Sequence, residues 1–169
     1  IDDGRLSGRW DIALRDLEYA VGLDQDGDGD VTWGELQARR KVIEQYALPR
    51  LTLSSAGATG KVIVNDFLVE EHNDGYYAVL GFDVEGLVRP RVLEIDYRAF
   101  FDLDPLHRGL LQLNADGTTQ TAVFGPHETM QRFELSNPSR WRQFATFTTE
   151  GVWHICIGFD HILFLVALL

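Results

Sequence analysis

KVIVNDFLVEEHNDGYYAVLGFDV, residues 61–84, is two runs of β-branched and aromatic residues on either side of Asn73-Asp74-Gly75. An Asp-Gly pair between such runs is a hairpin signal, because the glycine supplies the positive φ that a tight turn needs. The stretch therefore reads as two antiparallel strands. Downstream, RVLEIDYRAFF (91–101), GLLQLNA (109–115), QTAVF (120–124) and QRFELS (131–136) have the same composition, and Ala115-Asp116-Gly117 repeats the turn signal. Six or seven short strands at this spacing predict an antiparallel β-sandwich. Upstream, RLSGRWDIAL (5–14) reads as a strand that bends into a helix near Arg15.

Between that strand and the β-rich region the period changes. From Asp16 to Tyr46 there are two helical runs, with apolar residues at Leu17, Ala20, Val21 and at Leu36, Val42, Ile43, and Pro49 stops the second. The helical hairpin, 16–47, is an insertion near the start of a β-rich domain over 1–136, which makes the class α+β.

The hairpin's loop is DQDGDGDVTWGE, residues 24–35. It places Asp24, Asp26 and Asp28 at loop positions one, three and five, Gly29 at six and Glu35 at twelve. Calcium is a hard ion that takes about six to eight oxygens, and this spacing lets one loop curl them around it. The backbone carbonyl of Asp30 is the ligand at position seven, Thr32 at position nine holds a water, and Glu35 supplies two oxygens. Val31, at position eight, is the apolar residue that pairs with a neighbouring loop. Five acidic side chains in twelve residues repel one another without a cation. The loop and its flanking helices resemble the EF-hand family. Such hands usually come in pairs, and no second loop is present in the sequence. A lone hand in a β-domain points to a structural staple, with calcium as a folding partner.

The net charge of −11 leaves no basic face to neutralise phosphates and argues against a nucleic-acid partner. Cys156 is the single cysteine, so no internal disulfide forms. Met130 is the one methionine, so Ile1 is expected to follow a removed signal peptide or to open a fragment.

The chain closes with GVWHICIGFDHILFLVALL (151–169), apolar without interruption from Ile162 to Leu169, and reads as a helix cut short. Its 19 residues fall just short of the ~20 that span a bilayer. Before it, Asn137-Pro138-Ser139 opens an amphipathic helix over 137–150, with Trp141, Phe144, Ala145 and Phe147 to one side. It suits a membrane surface or the face of the β-domain equally. Trp141 and Trp153 fit an interfacial aromatic belt, or a core.

A helix advances about 100° per residue, so His154 and His161 share nearly one face, with Gly158 between them and Asp160 beside His161. Imidazole and carboxylate together suit nickel, cobalt, copper or zinc. An aspartate at mid-membrane costs about 2.5–3.5 kcal/mol on insertion scales, so such residues normally face a bundle interior and mark an ion path. Three readings stand at this level: a soluble core helix, a membrane anchor with incidental polar residues, and a transport helix with a metal-contacting face.

The histidine, five residues, then Asp-His of this tail resembles the first transmembrane helix of the HupE/UreJ family of membrane proteins, and Gly151, Gly158, Phe164 and Leu165 fit the same pattern. The resemblance implies nickel or cobalt uptake, with His154, Asp160 and His161 contacting the transported ion. It also implies an exported N-terminal domain, in the periplasm or outside the cell, on an inner (cytoplasmic) membrane protein whose partners are further transmembrane helices or other membrane subunits. The alternative is a calcium-stabilised scaffold or accessory subunit, anchored to a larger membrane complex and transporting nothing itself. No nucleophile or acid-base constellation points to an enzyme. Asp102, Asp104 and His107 in FFDLDPLHRG (100–109) form a weaker metal candidate that also reads as a turn, and His72 and His127 read as exposed loop histidines.

Overall fold

The computed structural model describes residues 5–115 and 117–135. The expected interfacial helix (137–150), the expected membrane span (151–169), and His154, Asp160 and His161 with it, lie outside the described residues. Among the described residues no helix is long and apolar enough to cross a membrane.

Strand β1 (Leu6–Ala13) runs straight into helix α1 (Leu14–Val21). The twelve-residue loop follows, then α2 (Trp33–Ala47) and a 3-10 turn, Leu48–Arg50, with Pro49 in its first turn. Proline lacks the amide that would continue the α-helical ladder, so α2 stops where expected. Eight further strands follow among the described residues: β2 (Leu51–Ser55), β3 (Ala58–Thr59), β4 (Lys61–His72), β5 (Gly75–Glu85), β6 (Val92–Tyr97), β7 (Gly109–Ala115), β8 (Thr118–Phe124) and β9 (Met130–Glu134). All pairings are antiparallel, so the mixture of antiparallel strands and two helices is α+β.

The strands fall into three sheets, ordered β1-β5-β4, β3-β2-β6-β9 and β7-β8. In the first, β5 is central and buried on both faces at Ala78, Val79 and Leu80. Its core-facing Val84, Phe82, Leu80 and Ala78 pair with Val62, Val64, Phe67 and Val69 of β4. The step from 64 to 67 is a bulge at Asn65, which shifts the alternation by one residue and keeps the apolar set on one face. On the outer face Arg9 of β1 reaches across β5 to Glu70 of β4 (2.9 Å) while also holding Asp11 (2.6 Å).

One core joins the elements: Leu17, Leu36 and Ile43 from the helices, Leu6, Ile12, Leu80 and Phe82 from the first sheet, and Leu53, Leu93, Ile95 and Phe133 from the second. Each such side chain contributes about 1.5–3 kcal/mol on burial. Trp33 stacks on Phe67 (6.0 Å between centroids) and Arg40 lies over the same ring, so α2 is seated beside β4.

The structure differs from the sequence reading in three places. Strands β2 and β3 form a hairpin that composition does not announce: its turn residues, Ala56 (φ 49) and Gly57 (φ 82), both have positive φ, and alanine stands where asparagine or aspartate is usual. The run 91–101 is a strand only to Tyr97, because Phe100 adopts φ 66 and turns the chain away. At 73–75, His72 pairs with Gly75, so the glycine (φ 143) opens β5 and the turn itself is Asn73-Asp74.

Candidate metal centre

The loop after α1 gathers its carboxylates by saturating its own amides. One oxygen of Asp24 accepts from Gly27 N (2.7 Å) and the other from Gly29 N (3.0 Å). Asp26 accepts from Asp28 N (3.2 Å) and Asp28 from Asp30 N (2.9 Å). These turns place donor oxygens of Asp24, Asp26 and Asp28 within 4.8 Å of one another. Gly29 makes the reversal at φ 91, a conformation that side-chain-bearing residues rarely adopt.

The loop closes through Thr32 and Glu35, which form a capping box on α2. Thr32 N and its hydroxyl both donate to Glu35 Oε2 (2.9 and 2.8 Å), and Glu35 N donates to Thr32 Oγ1 (3.3 Å). The other oxygen, Glu35 Oε1, accepts from Gln25 N (2.7 Å), so the twelfth loop residue reaches back to the second. The amides of Thr32 and Gln25, with the Thr32 hydroxyl, hold the Glu35 carboxyl down at about 2. Asp30 projects into solvent and its amide is committed to Asp28. All of the side-chain donors are oxygens, a hard set that fits calcium in preference to softer metals.

Two residues that sequence reasoning did not single out frame the loop. Glu18 of α1 accepts from Leu23 N (2.5 Å) and Asp24 N (2.9 Å). Arg39 of α2 donates to the carbonyl of Val21, the last residue of α1. Neither has a spacing signature, since a glutamate and an arginine on helices are ordinary.

The weaker candidate, Asp102, Asp104 and His107, is not a metal cluster. Asp102 pairs with Arg50 (3.3 Å), and Asp104 accepts from Leu106 N (2.8 Å) to cap its turn. His107 lies among Tyr97, Phe100 and Phe101, with Nε2 3.1 Å from the Tyr97 hydroxyl and Nδ1 3.7 Å from Asp16. Burial pushes its pKa down against the pull of Asp16, and burial pushes Tyr97 up. His127 is an exposed turn residue. His72 ends β4, where it meets Asp11 (3.5 Å) and packs against Tyr77.

Fold and loop thus define an α+β domain with a loop lined by the carboxylates of Asp24, Asp26 and Asp28. Residues 129–169 match the protein family described as HupE / UreJ protein, a stretch that takes in β9 and contains His154, Asp160 and His161. Residues 1–128 lie outside the match. No curated protein matches the chain.

Proposed function

We propose that the chain serves a HupE/UreJ-type membrane transporter of the nickel or cobalt class, and that its β-rich region is a calcium-stabilised domain on the periplasmic or outer side of the inner membrane. The observation that carries this reading is the match over 129–169, which contains the His154, Asp160 and His161 set proposed to contact the transported ion. The loop supports the calcium part. Asp24, Asp26 and Asp28 would hold the ion through carboxylates, Asp30 through its backbone carbonyl, Thr32 through a water and Glu35 through its carboxylate. Bound calcium supplies a compact double positive charge that offsets the crowded carboxylates. Calcium outside the cytoplasm keeps even a weak loop filled, which supports the orientation. The single core shared by the first and second sheets supports a sandwich-like stacking.

The test is metal binding by the chain in detergent, comparing calcium, nickel and cobalt for the natural sequence and for His154→Ala combined with His161→Ala. Nickel or cobalt binding abolished by the double substitution, with calcium retained, is the expected result. Calcium binding alone, unmoved by the histidine changes, would refute the transport role and leave an anchored scaffold.

A further inference from the structure

We propose that Glu18 is a positioning residue for the cation loop: it never meets the ion, but sets the backbone from which the first ligand, Asp24, projects, and so sets calcium affinity. The inference rests on the calcium reading above. Helix α1 ends at Val21, and Gly22 (φ 65) turns the chain out of the helix. Residue 18 then accepts three successive amides: Gly22 N closes the last helical bond, whereas Leu23 N and Asp24 N are left without helical partners. Its backbone carbonyl takes Gly22 N (2.9 Å), and its carboxylate oxygen Oε2 takes Leu23 N (2.5 Å) and Asp24 N (2.9 Å). Leu23 is fully buried, so this junction is pinned from both sides, by the carboxylate on the backbone and by the core on the side chain.

The constraint is passed on. Asp24, held at its amide, uses its own carboxylate to gather Gly27 N and Gly29 N. Glu18 therefore stands first in a relay that orders the loop through its sixth position. From the other helix, Arg39 donates to the Val21 carbonyl and fixes the same helix end. Helix α1 has no basic residue of its own in its last turn, so a cation there comes from α2, where it also opposes the negative end of the α1 dipole. A loop ordered before the ion arrives spends less of the binding free energy on ordering, which is preorganisation.

The experiment uses the 169-residue chain in detergent, with Glu18→Ala, which keeps helix propensity, and Glu18→Gln, which keeps one oxygen acceptor without the charge. Two quantities are read: the calcium dissociation constant by titration calorimetry, and amide hydrogen exchange of Leu23 and Asp24 in calcium-free protein. The alanine variant is expected to bind calcium about tenfold more weakly, the equivalent of about 1.4 kcal/mol, and to lose protection at both amides. The glutamine variant should retain most of both. Unchanged affinity and exchange in a folded Glu18→Ala chain would overturn the proposal, as would a glutamine variant no better than alanine. If the natural chain binds no calcium, the calcium reading fails and the affinity claim fails with it. Protection of Leu23 and Asp24 that alanine alone removes would then still establish the clamp on the backbone.

Discussion

Replacing Asp24 by alanine separates what the loop does for itself from what a cation does for it. Without calcium, the change removes two exposed hydrogen bonds, to Gly27 N and Gly29 N. Because water replaces the lost partner, the expected destabilisation is about 1 kcal/mol. On the proposed calcium reading, calcium at a hundredfold excess over its dissociation constant stabilises the natural chain by about 2.7 kcal/mol through mass action. The variant, having lost its first ligand, gains little. The gap in melting temperature should therefore widen on adding calcium, by ~10 °C for a domain of this size. Thermal unfolding followed by circular dichroism, in chelator and in calcium, reads both gaps. Asp24→Asn, which keeps an acceptor but no charge, should show almost no gap in chelator and most of it in calcium. Equal gaps in the two buffers would refute the argument, because the loop would then be stabilised by its own hydrogen bonds alone.

Other expectations follow from the same geometry. Ile43→Ala, in the fully buried face of α2, should cost about 2–5 kcal/mol in urea unfolding, whereas Leu110→Thr on the exposed face of β7 should stay within ~0.5 kcal/mol. A buried histidine with a lowered pKa favours the folded state when neutral, so the contribution of His107 is complete above its unfolded value of about 6.5 and declines as pH falls towards the folded one. His107→Gln should flatten stability against pH in that window, and an unchanged slope would count against the burial argument. Glu35 behaves with the opposite charge: its folded pKa of about 2 lies below the ordinary 4.5, so its contribution is present above 4.5 and is lost as pH falls towards 2. Carboxyl carbon NMR of calcium-free protein should find Glu35 still ionised at a pH where ordinary glutamates are half protonated. Glu70→Gln should change stability by less than ~1 kcal/mol, since Arg9 retains Asp11 and the pair is exposed.

The loop was legible because its donors sit at fixed offsets along one short segment, so spacing alone brings Asp24, Asp26 and Asp28 together. The hairpin at 61–84 was legible for a similar reason, with composition and turn residues in agreement. Its bulge at Asn65 was not, since the extra residue shows only in the pairing with β5, where Phe82 meets Val64 and Gly81 meets Asp66. The β2–β3 hairpin hid behind an alanine in a left-handed conformation, which no propensity favours. Strand β6 ended early because Phe100 is held in its turn by surroundings distant in sequence, packing on Tyr46 of α2 and on His107. Glu18 and Arg39 escaped notice because their targets are backbone atoms, and a backbone atom leaves no mark on the amino-acid sequence.

The antiparallel pairing of β1 with β5 sets an order of events in time. Leu6 meets Val84 and Ala13 meets Tyr77, so β1 has no partner until β5 has been made and brought back. The α1–loop–α2 unit has the opposite character, because Glu18, Asp24, Glu35 and Arg39 find their partners within a single short segment. Contacts close in sequence form sooner than distant strand pairings, whose loop-closure entropy must be met first. The loop between α1 and α2 is thus expected to mature while the sheet behind it is still open, and pulsed hydrogen exchange should find α2 amides protected before those of β1. On that timetable an ion captured early would act as a nucleus for the domain, and calcium supply would govern how fast the chain folds as well as how stable it becomes.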